Sequence, residues 1–328
     1  MNSVLGKLLR PVLTALGLAV GVCASASAQD YPNKPVRILI PYTPGGGADA
    51  AARLAANQLS KAFGQQFLVE ARPGGNTVIA TQAVARAPAD GYTLLMTGGA
   101  TMSLLPLVTD KLPFDPLADF APLSMLSRFP FVIAAVSSLG ANSLRDVVDM
   151  AKAKPGALAY ASNATGGTVH LGMELFAYRA QIKLNHIPYK GFAAALPDVL
   201  AGRTPLMMAD LAPIDAQVKA GSLKLLGVTS PERSPFFPGV PTVAEQGYPG
   251  YELMIWFAMY APAKTPPAIV AKLGDELRRW LATPEAKAAF AAIGHEAAPT
   301  TGEAVRDTIQ AEQKSYRPTV QAAGIRAE

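Results

Sequence analysis

Short apolar runs alternate with amphipathic stretches along most of the chain. Val36–Ile40 is apolar at four of five positions and rich in β-branched residues, which predicts a buried strand. From Asp49 the pattern becomes helical: Ala51, Leu54, Ala55, Leu59, Ala62 and Phe63 form one stripe, with Arg53, Asn57 and Lys61 opposite and Gly64 as the stop. A strand at 67–70, a turn at Pro73-Gly74-Gly75, a helix at 77–87 and a strand at 93–96 repeat the plan. The middle of the chain repeats it again. Strands are expected at 131–136, 158–161, 185–187, 206–209 and 224–228, with a helix at 144–153. Another helix opens at Gly166-Gly167 and carries Val169, Met173, Phe176, Ala177 and Ala180 on one face.

The stretch 231–249, rich in Pro and Gly, reads as surface loop, and 253–260 as a long apolar strand. The tail is helical. Thr265-Pro266-Pro267 and Thr283-Pro284 read as caps followed by a proline at the first helical position, and Gly294 as a stop. Pro318 is expected to break or kink the last helix. Repeated β–loop–α order predicts a doubly wound, mainly parallel α/β sheet. Extended segments near 123–136 and 252–260 suggest two crossings between two lobes, with a cleft between them. The division expected is 29–127 with 256–328 for lobe 1, and 128–255 for lobe 2.

Composition narrows the chemistry. The chain has 328 residues, 50% hydrophobic and 16% charged, with one Cys and three His. Residues 1–28 read as a cleaved signal peptide: Lys7 and Arg10, an apolar stretch too short to span a bilayer, then Ala26-Ser27-Ala28. A membrane anchor and lipidation at Cys23 are the alternatives. Val22, where a lipoprotein signal needs a small residue, argues against lipidation. Cleavage would remove the only Cys and lower the formal charge from +5 to +3. A thiol-free chain excludes Cys nucleophiles, disulfides and multi-cysteine metal sites, and it suits an oxidising compartment. No basic stripe points to nucleic acid, and neither a metal nor a cofactor is expected.

The strongest local signal occurs twice. Thr43-Pro44-Gly45-Gly46-Gly47-Ala48-Asp49 and Ser162-Asn163-Ala164-Thr165-Gly166-Gly167-Thr168 each join a predicted strand to a predicted helix. Glycines admit close approach of a ligand to the backbone, and the free N–H groups of a helix start favour an anion. Thr43, Thr165 and Thr168 add hydroxyls. The alternative is ordinary βα turn geometry. Neither loop has the Walker or Rossmann spacing. Asp49 either contacts a ligand donor or simply complements the helix dipole. His170 lies near the second helix start; His186 and His295 read as structural or surface residues. Trp256, Phe257 and Tyr260 read as core before an aromatic wall. No Gly-x-Ser-x-Gly elbow or His-Glu-x-x-His motif is present.

Together these segments resemble the Bug-type receptors, the TctC-like solute-binding proteins of tripartite tricarboxylate transporters. The match runs through Tyr31-Pro32-x-Lys34-Pro35-Val36-Arg37, Pro41-x-x-Pro44-Gly45-Gly46-x-x-Asp49 and Arg72-Pro73-Gly74-Gly75. It continues through Ala89-Asp90-Gly91-Tyr92-Thr93-Leu94, Thr165-Gly166-Gly167-Thr168-x-His170-Leu171 and His186-Ile187-Pro188-Tyr189-Lys190-Gly191. The resemblance implies a two-lobed type II periplasmic binding fold. It implies a non-enzymatic, monomeric receptor that takes a carboxylate between the lobes and passes it to membrane transporter subunits. By position it implies Thr43, Gly46, Gly47 and Asp49 on the first lobe, with Thr97 and Thr101 from the next loop. On the second lobe it implies Thr165, Gly167, Thr168, His170 and, after the 206–209 strand, Asp210. The family commonly has Ser where Thr168 stands, and Gly98-Gly99-Ala100-Thr101-Met102 departs from its pattern. A secreted hydrolase of carboxylate esters and a periplasmic sensor are the competing readings.

Overall fold

The computed structural model describes residues 31–210 and 214–327; the expected signal peptide and Cys23 lie outside them. β1 (Val36–Ile40) leads through α1 (Gly47–Phe63) to β2 (Phe67–Ala71), then through α2 (Val78–Ala85) to β3 (Thr93–Gly98). The three strands are parallel, in the order β3-β1-β2. Ile38, Leu39 and Ile40 are fully buried, as strands covered on both faces require. A π-helical turn at Ala100–Leu104 runs into the short α3 (Leu105–Val108), and β4 (Phe120–Pro130) then leaves the lobe.

One residue, Phe131, separates β4 from β5 (Val132–Val136) of the second sheet. After α4 (Leu144–Ala153), β6 (Ala159–Ser162), α5 (Thr168–Ala180), β7 (Asn185–Pro188), α6 (Phe192–Leu200), β8 (Leu206–Ala209) and α7 (Asp215–Lys219), β9 (Leu223–Val228) completes it. The order is β7-β6-β8-β5-β9. β10 (Met254–Pro262) then returns to the first sheet between β3 and β4. α8 (Pro267–Leu281), α9 (Pro284–Ala291), the two-residue β11 (Glu296–Ala297) and α10 (Gly302–Ala323) finish the described chain.

The two-lobed α/β architecture matches the expectation from sequence, but both sheets are mixed rather than mainly parallel. β10 is antiparallel to β3 and β4, and β5 is antiparallel to β8 and β9. The chain enters and leaves the second lobe through adjacent strands of opposite direction, so each sheet acquires antiparallel pairs at the crossing. Two further expectations are corrected. Thr265 does not cap α8; its buried hydroxyl has no hydrogen-bond partner, and Pro266 holds the cap position. Pro318 does not end α10, which continues to Ala323. Tyr316, Thr319 and Val320, all buried, hold that turn against the body of the protein, and this packing offsets the lost backbone bond. Thr283 does cap α9, accepting from the Ala286 N–H at 3.2 Å.

Thr229 joins the two crossings. Its Oγ1 accepts from the Phe131 N–H at 2.8 Å and donates to the Leu253 carbonyl at 2.7 Å. Its own N–H donates to the Phe131 carbonyl, and its carbonyl accepts from the Leu253 N–H, both at 2.9 Å. The hydrophobic core runs without interruption through this region, from Phe129 and Phe131 to Leu253 and Trp256. α10 of the first lobe also packs against α5 of the second. Thr229→Val keeps the shape but leaves the Phe131 N–H without its side-chain acceptor and the Leu253 carbonyl without its donor. Unfolding in urea should show a loss of roughly 1–3 kcal/mol; an unchanged midpoint would remove Thr229 as the link between crossings.

Candidate functional site

The two Gly-rich loops have the same geometry. Gly46 and Gly167 hold the cap positions of α1 and α5 with φ of −89° and −83° and ψ of 174° and 175°. Before each stands a glycine in the left-handed region, Gly45 at φ +88° and Gly166 at +71°. Such backbone favours glycine because a Cβ crowds the following carbonyl. Neither helix start has a side-chain cap. Instead the third helical residue reaches back to the left-handed glycine. Asp49 Oδ2 accepts from the Gly45 N–H, and His170 Nδ1 accepts from the Gly166 N–H, each at 3.1 Å. The loops are therefore tied down from inside the helix, and the first turn of N–H groups keeps its donors outward.

Through these bonds Asp49 and His170 each position a loop. Asp49 is buried and also accepts from Arg53 Nε at 3.0 Å; that bond first, and the Gly45 bond with it, hold its carboxyl below the usual range. The His170 ring stacks on His186 with centroids 3.8 Å apart, and His186 Nε2 lies 2.6 Å from Ser162 Oγ at the end of β6. Burial, then the neighbouring His186, pushes His170 down to about 4, so it is neutral near pH 7 and keeps Nδ1 as an acceptor. Thr43 and Gly46 are exposed; Thr165, Gly167 and Thr168 are half-buried. Thr168 shares a narrow gap between the lobes with Gly99 and Ala100.

Thr97 and Thr101 are fully buried, and their hydroxyls are engaged internally. Thr97 Oγ1 donates to Thr101 Oγ1 at 2.7 Å and lies 3.2 Å from the Tyr42 hydroxyl; Thr101 Oγ1 donates to Thr77 Oγ1 at 3.0 Å. This chain ties the ends of β1 and β3 together. Asp210 directly follows β8, and its Oδ1 is enclosed with no hydrogen-bond partner among the described residues. Burial raises its carboxyl above the ordinary value.

Two further residues stand at this edge: His295, expected from sequence as structural or surface, and Glu312, which was not a candidate. His295 is buried, stacked on Phe129 at 4.0 Å, with Nδ1 3.2 Å from Ser127 Oγ. Its Nε2 lies only 3.0 Å from where a Cβ on Gly47 would stand, so it borders the first helix start. Nothing in its sequence context, directly after the Gly294 stop, signals this. Glu312 accepts from the Trp256 indole N–H at 2.7 Å, and its Oε2 faces Gly99 with no hydrogen-bond partner among the described residues. A signal existed here: Val305, Ile309, Glu312 and Tyr316 share one helical face, so a carboxyl interrupts an apolar stripe.

Two α/β lobes joined by two crossings, each lobe with a Gly-rich helix start directly after a strand, are the architecture of a solute-binding protein. Residues 51–325 match the model of the tripartite tricarboxylate transporter family receptor, and the chain belongs to that family. It is 34% identical over 323 residues to the protein BugT of Bordetella pertussis, covering 96% of this chain and 98% of BugT. The structure of R. palustris Rpa4515 with adipate superposes with a TM-score of 0.82 at 33% identity, covering 91% of this chain and all of that one. MatC from Rhodopseudomonas palustris with bound malate gives 0.76 at 25% identity, covering 88% and 100%. The family is one of periplasmic receptors. Among the described residues no helix is long and apolar enough to cross a membrane.

Burial, more than any neighbour, pushes the Glu312 carboxyl up to about 7. The folded chain thus keeps a proton that the unfolded chain releases from about 4.5 upward. That stabilisation is complete below this window and is lost as pH rises through about 7. Glu312→Gln should therefore gain roughly 2–3 kcal/mol on the wild type between pH 5 and pH 8, measured by urea unfolding. Parallel pH profiles would contradict the buried carboxyl.

Proposed function

We propose that the chain is an exported receptor that captures a small carboxylate between its lobes and delivers it to a membrane transporter of the tripartite tricarboxylate type. Residues 1–28 direct export and are removed. Residues 29–127 and 256–328 form the first lobe, 128–255 the second, and the receptor works as a monomer. The single observation that carries the reading is the matched pair of uncapped helix starts at Gly46-Gly47 and Gly167-Thr168. Backbone N–H groups at helix starts bind carboxylates without any Lys or Arg, and the hydroxyls of Thr43, Thr165 and Thr168 add donors.

Asp49 and His170 hold the two loops in shape, and the buried Thr97–Thr101 pair fixes the strand ends beneath them. The adipate and malate bound to the related R. palustris proteins are dicarboxylates, which supports the ligand class. No step in this account makes or breaks a covalent bond of the ligand. Closure around a ligand lets both lobes share it, which is how a receptor presents a loaded state to its partner.

Thermal unfolding with a panel of organic acids tests this. A carboxylate at about a hundred times its Kd stabilises by about 2.7 kcal/mol, a rise of roughly 4 °C for a chain of this size. Thr168→Trp fills the gap beside Gly99 and Ala100, and it should abolish that rise while the ligand-free melting temperature moves by only a few degrees. The ligand should be recovered unchanged. A panel with no shift, a shift that survives Thr168→Trp, or conversion of the ligand would each overturn the reading, the last in favour of a hydrolase.

A further inference from the structure

His295 stands between the first helix start and a cavity of about 400 Å³ where the lobes meet. The ring is 3% exposed, and its Nε2 makes no hydrogen bond among the described residues. The end of β4, in the first sheet, adds Phe129 to the cavity wall; the second lobe adds Phe236, Phe237, Asp210 and Asp215. The two carboxylates are not alike. Asp215 is already compensated by Lys219, whose Nζ lies 2.6 Å from its Oδ2. Asp210 Oδ1 is enclosed and has no hydrogen-bond partner among the described residues. No Lys or Arg lines this cavity among the described residues.

An enclosed carboxylate with no cation is costly unless a ligand supplies the charge. We propose that Asp210 makes this receptor select carboxylates that carry an ammonium group. The carboxylate end is held at the first helix start beside His295, the ammonium pairs with the Asp210 carboxylate, and the carbon skeleton lies against Phe129 and Phe237. A dicarboxylate of the same length would set its second negative charge against Asp210 with no Lys or Arg in the cavity wall to offset it, so repulsion discriminates as much as attraction. Burial, which already works against the charged form of Asp210, is relieved by a bound ammonium. The inference rests on the carboxylate-receptor reading and adds the other end of the ligand.

Calorimetric titration of the purified protein tests it with three series of matched chain length: amino carboxylates, dicarboxylates and monocarboxylates. In the unaltered protein the best amino carboxylate should bind at least tenfold tighter than the dicarboxylate of its length. Asp210→Asn should lower amino-carboxylate affinity at least tenfold and collapse the ratio between the two series. A dicarboxylate that binds the unaltered protein as tightly or more tightly overturns this inference and leaves the carboxylate receptor standing. If no member of any series binds, the receptor reading falls and this inference falls with it. The comparison of series on the unaltered protein does not depend on whether the variant folds.

Discussion

A helix start exposes N–H groups that nothing inside the helix can satisfy. Most proteins spend a Ser, Thr, Asp or Asn side chain there. At Gly46 and Gly167, as at several other helix starts of this chain, none is spent, and these two share one further device, a left-handed glycine before the cap that the third helical residue holds. Much of the local structure serves that arrangement. Asp49 and His170 draw the left-handed glycines back against their helices, so the loops are rigid although the caps are missing. The Tyr42–Thr97–Thr101–Thr77 hydroxyl chain fixes the strand ends beneath the first loop, and the His170–His186 stack with Ser162 does so beneath the second. The two lobes solve one problem with different side chains: a carboxylate in one and a neutral imidazole in the other accept the same backbone bond.

Anion recognition by backbone dipoles also fits the composition. With 16% charged residues and a mild net charge, the chain has little side-chain electrostatics to commit to a site. Where charge is buried near the facing edge it is acidic, at Asp210 and Glu312. The lobes are linked by Thr229 between the crossing strands, by the contact of α10 with α5, and by a hydrophobic core that continues across the crossing.

The parts legible in sequence were those with a local cause. Val36–Ile40, the α1 stripe and its Gly64 stop follow from β-branching, period and φ, and the helix-start loops followed from their glycines. What stayed hidden depends on distant packing. Pro318 reads as a break until Tyr316 and Val320 are seen anchored. Thr265 reads as a cap until Pro266 is seen to displace it. The mixed sheets could not be read from element order, because the direction of β10 depends on which neighbours it meets. His295 reaches Gly47 across a long stretch of chain, and no local pattern marks it. Asp49 and His170 were visible as candidates, yet their shared function as loop anchors emerged only from two equal hydrogen bonds.

The central claim is that both helix starts hold the ligand through their backbone. Amide resonances report this directly. On titrating a carboxylate that binds, the N–H signals of Gly46, Gly47, Gly167 and Thr168 should move downfield together, saturating at one ligand per chain. If the ligand saturates while only one of the two loops responds, or neither does, a clamp of paired helix starts is the wrong account of this receptor.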